Sequence, residues 1–210
     1  MRDEDFEIFI EEMGEATDHE VADPSVIEKY RSILPLSLIK IWQEEGWNGY
    51  ANGLFWIVNP DEYSHLVEMW LEGTSVNEID TYHVIARSAF GDLFAWGEKY
   101  NRKITISCLT GSVIAVASEL DVPSDNPDLT IGSFLAMSDL ERYDVEDIEE
   151  EPFFERSVEK LGALKKDELY GFEPALVLGG SLSFENLTKL KLDVHLTILR
   201  QLGGVPRIPY

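Results

Sequence analysis

Four short runs rich in β-branched and aromatic residues follow one another at 82–88, 92–97, 103–109 and 112–117, and nothing else in the chain restricts its fold as strongly. Residues Gly91-Asp92, Tyr100-Asn101-Arg102 and Thr110-Gly111 lie between them and supply turns. Strand runs joined by such short connections pair with their sequence neighbours, so the simplest topology is an antiparallel meander. A fifth strand is expected at 54–58, entered through a loop at 47–53 that carries Trp47 and Tyr50.

Helical patterns flank this centre. Phe6, Phe9, Ile10 and Met13 recur at helical spacing, so the first segment reads as an amphipathic helix. Asp23-Pro24 and Asn59-Pro60-Asp61-Glu62 each read as a capping side chain followed by proline at the first helical position. Pro35 restarts a helix that carries Leu38, Ile39 and Trp42 and closes at Gly46. Further helices are expected over 131–140 and 152–161. The last spans 184–202, capped by Ser183, ended by Gly203-Gly204 and apolar at 184, 187, 190, 194 and 198. The expected fold is α+β: N-terminal helices packed on a central, mainly antiparallel sheet, with a helical C-terminal third. An α+β region over 1–120 and a mainly helical region over 121–210 are the expected divisions, or the two form one compact unit.

Charge restricts function more than fold. Forty acidic residues against seventeen basic ones give a net charge of −23, while apolar residues still make up 44 % of the 210, enough for a real core. Such a surface repels nucleic acid and anionic membranes, and either suits a cationic partner or serves solubility alone. No apolar run is long enough to cross a bilayer. The acidic start Met1-Arg2-Asp3-Glu4-Asp5 lacks the basic and apolar segments of a secretion leader, so a cytoplasmic location is expected.

Chemistry-bearing motifs are sparse. His19, His65, His83 and His195 are dispersed without metal-ligand spacing, and Cys108 is the only cysteine, so neither a metal nor another cofactor is expected. Cys108 reads as a buried thiol in an apolar strand, and His195 as a packing residue of the last helix. A Cys108/His83 pair on one sheet is the nearest approach to a nucleophilic site. Gly179-Gly180-Ser181 reads as a tight turn more than an anion cradle. The stretch 139–151 differs in kind: it holds Asp139, Glu141, Asp144, Glu146, Asp147, Glu149, Glu150 and Glu151 against Arg142 alone. Tyr143 lies inside it, and Pro152-Phe153-Phe154 follows directly. Aromatics ringed by acids form what a hot spot for a basic partner requires. Such a run is otherwise plain solvated surface; on the docking reading the contact residues are Tyr143, Glu146, Asp147, Glu149, Glu150, Glu151, Phe153 and Phe154, with Trp47 and Tyr50 either a second candidate surface or cover for the core.

The segments GLFWIVNP (53–60) and AFGDLFAW (89–96) resemble the GAD-like domain. LYGFEPALVLGG (169–180), followed by Asn186-Leu187 and Val194-His195-Leu196, is similar to the C-terminal region that accompanies it in immunity proteins of bacterial type VI secretion DNase toxins. The resemblance implies a non-catalytic cytoplasmic antidote that binds one DNase effector with a basic surface and blocks it. It leaves open whether the active cleft is plugged or the toxin is held elsewhere. A weaker likeness to the Smi1/Knr4-like immunity superfamily implies a different toxin or a cellular partner. A small hydrolase using His83 or paired carboxylates is the rival from another class.

Overall fold

The computed structural model describes residues 2–147 and 149–208. In chain order, α1 (Glu4–Met13), β1 (Asp18–Glu20), α2 (Pro24–Tyr30) and α3 (Leu36–Glu44) precede β2 (Trp47–Tyr50) and β3 (Phe55–Ile57). Then come α4 (Ser64–Leu71), β4 (Tyr82–Ser88), β5 (Asp92–Gly97), β6 (Lys103–Ser107) and β7 (Ser112–Ile114). The remainder forms α5 (Pro127–Ala136), α6 (Leu140–Tyr143), α7 (Phe154–Leu161), β8 (Glu168–Phe172), β9 (Leu187–Lys191) and α8 (Leu192–Gly203).

Strands β1 to β7 form one sheet in sequence order, every neighbouring pair antiparallel. The expected meander is therefore present as β4–β7 and extends at its front to β1, a strand the sequence did not announce. Residues 47–50, expected in a loop, are strand β2, and Trp47 and Tyr50 are 7 % and 0 % exposed. They belong to the core and form no surface. Gly46 is needed just before β2: its φ is +84° and a Cβ there would stand 2.1 Å from the carbonyl oxygen of Glu20 on β1.

Both faces of the sheet are covered, which is why its central strands read as nearly continuous apolar runs. Registers Phe55↔Ser88 and Trp56↔Arg87, with Ala86↔Phe94 and Arg87↔Leu93, sort the side chains by the two-residue period. Phe55 and Phe94 meet Phe9 of α1, Phe134 of α5 and Tyr143 of α6 on one face. Trp56, Arg87 and Leu93 lie on the other, where α4 packs against β4 and α8 against α4. The chain's end shields the β7 edge, since Val113 N–H donates to Arg207 O (2.8 Å) and Arg207 N–H to Gly111 O (3.0 Å).

The helix starts follow the sequence closely at the N-terminal end. Asp23 caps α2 by accepting from Ser25 N–H, and Asn59 accepts from Asp61 N–H to open a 3-10 turn that leads into α4. The C-terminal third departs from expectation. Residues 187–191 are strand β9, paired antiparallel with β8, and the last helix starts only at Leu192 without a side-chain cap. Spacing at 184, 187 and 190 fits a helix, and pairing with a partner strand within reach overrode it. The helix over 131–140 splits into α5 and α6, and Asp139 caps the second by accepting from Arg142 N–H.

Lys103 is the odd charge of this core. Its Nζ lies 5.6 Å and 5.1 Å from the ring centres of Phe94 and Phe134, and burial with nearby Arg142 lowers its pKa to about 8. The folded value is thus below the unfolded one of about 10.4. Above pH ~8 the unfolded chain holds a proton that the folded chain has released, so this residue makes stability rise with pH up to about pH 10. Lys103→Met is expected to raise the urea midpoint at neutral pH and to remove that rise, read from denaturation at about pH 7 and pH 9.5.

Candidate docking surface

The acidic stretch is built around two aspartates whose carboxylates face inward. Asp144 accepts from Val145 N–H (2.7 Å) and Phe154 N–H (3.0 Å), and burial raises its pKa. Asp147 Oδ1 accepts from the N–H groups of Glu149 (2.9 Å) and Glu151 (3.1 Å), while Oδ2 accepts from Arg156 Nη1 (2.8 Å). The Arg156 hydrogen bond holds the Asp147 carboxyl below its ordinary value. Arg156 in turn lies over Phe184 (4.6 Å) and Phe153 (5.5 Å). Asp147, expected as a contact residue, is committed to shaping the turn.

Around that scaffold Glu146, Glu149, Glu150 and Glu151 are exposed. Glu150 has φ +63°, a left-handed conformation that costs a non-glycine residue roughly 1–2 kcal/mol. Glu150→Gly is therefore expected to stabilise the fold by about 1 kcal/mol, visible in the denaturant midpoint. An unchanged or lower midpoint would show the turn to be unstrained.

The three aromatics of the expected hot spot are core residues. Tyr143 is 3 % exposed, with its ring 4.7 Å from Phe55 and its hydroxyl 2.8 Å from Ser138 Oγ. Phe153 is fully buried against Phe172 (5.4 Å) and Phe184 (6.3 Å). Phe154 is buried with its ring 6.1 Å from Tyr170. The sequence held the signal: Phe154, Ser157, Val158 and Leu161 share one helical stripe, so Phe154 opens the inner face of α7.

Two of these exposed glutamates, Glu146 and Glu150, line a groove of about 740 Å³ between the end of α1, the turn at 51–54 and the α6–α7 segment. Seven acidic residues line it, the inward-bonded Asp144 and the exposed Glu11, Glu12, Glu141, Glu146, Glu150 and Glu155. Met13, Leu54, Leu140, Pro152 and Phe154 supply its apolar lining, and among the described residues neither lysine nor arginine takes part. Glu11, Glu12 and Glu155 were not singled out from the sequence. A hint existed in α1, whose last turn carries Glu11 and Glu12 and no base, against the preference of a helix C-terminus for cations.

The Cys108/His83 pair does not assemble. His83 pairs in register with Trp96, whereas Cys108 follows Ser107, the partner of Asp92, so the two lie about 13 Å or more apart along the sheet. Cys108 is fully buried, and burial pushes its thiol pKa well up. His83 meets Glu98 (3.3 Å) and the ring of Tyr30 instead. His195 is half-buried beside Gly171, and burial lowers its pKa. Gly180 is packed so tightly that a Cβ would stand 1.8 Å from Pro174 O, which makes this segment a compact turn. Among the described residues no group of three or more His, Cys, Asp or Glu could hold a metal, and no helix is long and apolar enough to cross a membrane.

Residues 4–110 match the GAD-like domain family, and residues 128–203 match the C-terminal family of the T6SS immunity protein Tdi1. The crystal structure of Atu4351 from Agrobacterium tumefaciens has the same fold, with a TM-score of 0.83 over 97 % of this chain and 91 % of that one, at 24 % identity. No curated protein matches the chain.

Proposed function

The chain belongs to the GAD-like domain family and carries the C-terminal region of a type VI secretion immunity protein, and on that premise we propose that it neutralises a cognate DNase effector in the cytoplasm by stoichiometric binding. The observation that carries this reading is the acidic groove. A nuclease that grips DNA phosphates presents a cationic surface, and six exposed glutamates over an apolar lining complement it in sign. The charge steers encounter, with rates reaching roughly 10⁸–10⁹ M⁻¹s⁻¹ at low salt. The apolar lining supplies the desolvated contact that slows dissociation. No catalytic step by the antidote is required.

The test is a titration of the effector encoded beside this chain, reading plasmid cleavage. Cleavage that ends near one equivalent supports the proposal. Unchanged cleavage in a pair that still co-purifies would place inhibition outside the nuclease step, and no binding at all would overturn the pairing.

A further inference from the structure

The turn that borders the acidic groove at Ala51 and Asn52 contains an Asn-Gly sequence. Seven asparagines occur in the chain, and only Asn48 and Asn52 precede a glycine. Pro60, Glu78, Arg102, Pro127 and Leu187 follow the others, where a side chain or a missing N–H hinders reaction at the next main-chain nitrogen. Glycine removes that obstacle because it carries no Cβ.

The fold separates the two sites. Asn48 is 0 % exposed in β2, its Nδ2 donates to Glu45 O (2.5 Å), and its Oδ1 accepts from Glu20 N–H (3.1 Å). Its amide is held at both ends, and Gly49 lies within the sheet opposite Trp56 of β3. Asn52 is exposed, and its side chain makes no hydrogen bond among the described residues. It stands in a run of left-handed residues, Ala51 (φ +48°), Asn52 (φ +55°) and Gly53 (φ +91°), closed by a bond from Leu54 N–H to Ala51 O (3.1 Å). That conformation is unfavourable for residues with a Cβ, so this short turn opens at less cost than the sheet does.

We propose that Asn52 is a site of spontaneous deamidation, with water as the reagent. The Gly53 nitrogen, giving up its proton, attacks Asn52 Cγ, and the side-chain nitrogen leaves as ammonia. One C–N bond forms as another breaks, and the product is a cyclic imide. Asn52 has ψ +25°, so attack follows a rotation about its Cα–C bond, which no side-chain partner opposes. Water then opens the imide at either carbonyl. Opening at Cγ leaves aspartate in an unchanged main chain. Opening at the main-chain carbonyl leaves isoaspartate, with a methylene inserted into the backbone. Either product adds a carboxylate to a groove already lined by seven acidic residues. Isoaspartate also lengthens the turn whose Gly53 O accepts from Trp56 Nε1 (2.7 Å), which displaces that acceptor. The site is independent of the effector.

The test is incubation of the whole folded protein in heavy-oxygen water, at mildly alkaline pH and physiological temperature, followed by peptide mass spectrometry. A sample unfolded in urea is carried alongside. In the folded chain, position 52 is expected to lose its amide roughly 100-fold faster than position 48, because Asn48 reacts only when the sheet opens. Each conversion takes up a heavy oxygen from the solvent. In urea the two sites are expected to react at rates within about threefold of each other. Asn52→Gln keeps an exposed amide but must close a larger ring, and is expected to leave position 52 unconverted over the same interval. Protection of both sites in the folded chain, with both reacting in urea, would overturn the proposal. So would equal conversion of Asn48 and Asn52 in the folded sample, which would trace the reaction to unfolded molecules.

Discussion

Reversing Glu146, Glu149, Glu150 and Glu151 to lysine slows association with the cognate nuclease by about 10- to 100-fold at low salt, and most of the salt dependence of the on-rate disappears. The four side chains are exposed, and Glu146 and Glu150 line a groove without a lysine or arginine among its described lining residues, so their field is not neutralised within the groove. Folding should be little affected, because the turn is held by Asp144, Asp147 and Arg156, which the substitutions leave in place. Stopped-flow association at two salt concentrations, with circular dichroism of the free variant, makes the measurement. Glu11→Lys with Glu12→Lys, across the groove on α1, is expected to add to the effect. If association is unchanged in a variant that folds normally, the glutamates serve solvation alone and the interface lies elsewhere.

Phe153→Ala lowers the stability of the free protein by about 3–5 kcal/mol, a large share of what a domain of this kind has to lose. The ring is fully buried between Phe172 and Phe184, and Arg156 rests on it. Truncation leaves a cavity under the turn that presents the glutamates. A surface hot spot would behave in the opposite way, losing affinity while stability stayed constant. Denaturant unfolding of the free chain and association of its folded fraction separate the two. A stable Phe153→Ala protein with weakened binding would return this aromatic to the interface.

These two experiments divide what local reading supplied from what it missed. Strands β4 to β7, the caps at Asp23 and Asn59 and the inward stripe of α1 were legible because each depends on neighbours in the chain. So was the concentration of acid near 146–151. The roles within that stretch were not legible. Asp147 and Glu150 are both acids in one run, yet one binds three donors and the other is exposed. Tyr143, Phe153 and Phe154 looked available because acids surrounded them, while β8 and the sheet face that bury them are distant in sequence.

The sequence by itself determined that this chain forms a meandering sheet with helices before and after it, that its surface is strongly anionic, and that its motifs resemble those of an immunity family. Periodicity, turn chemistry and composition are local properties, and local properties suffice for those conclusions. Only the tertiary structure decided that 187–191 pairs with β8 instead of extending a helix, and that Glu11 and Glu12 of α1 share a groove with Glu146 and Glu150. The same holds for Arg87, whose charge is buried behind Trp56 with main-chain carbonyls and Tyr63 as its partners. In each case the deciding contact joins segments far apart in the chain, and its energy exists only once the core has brought them together.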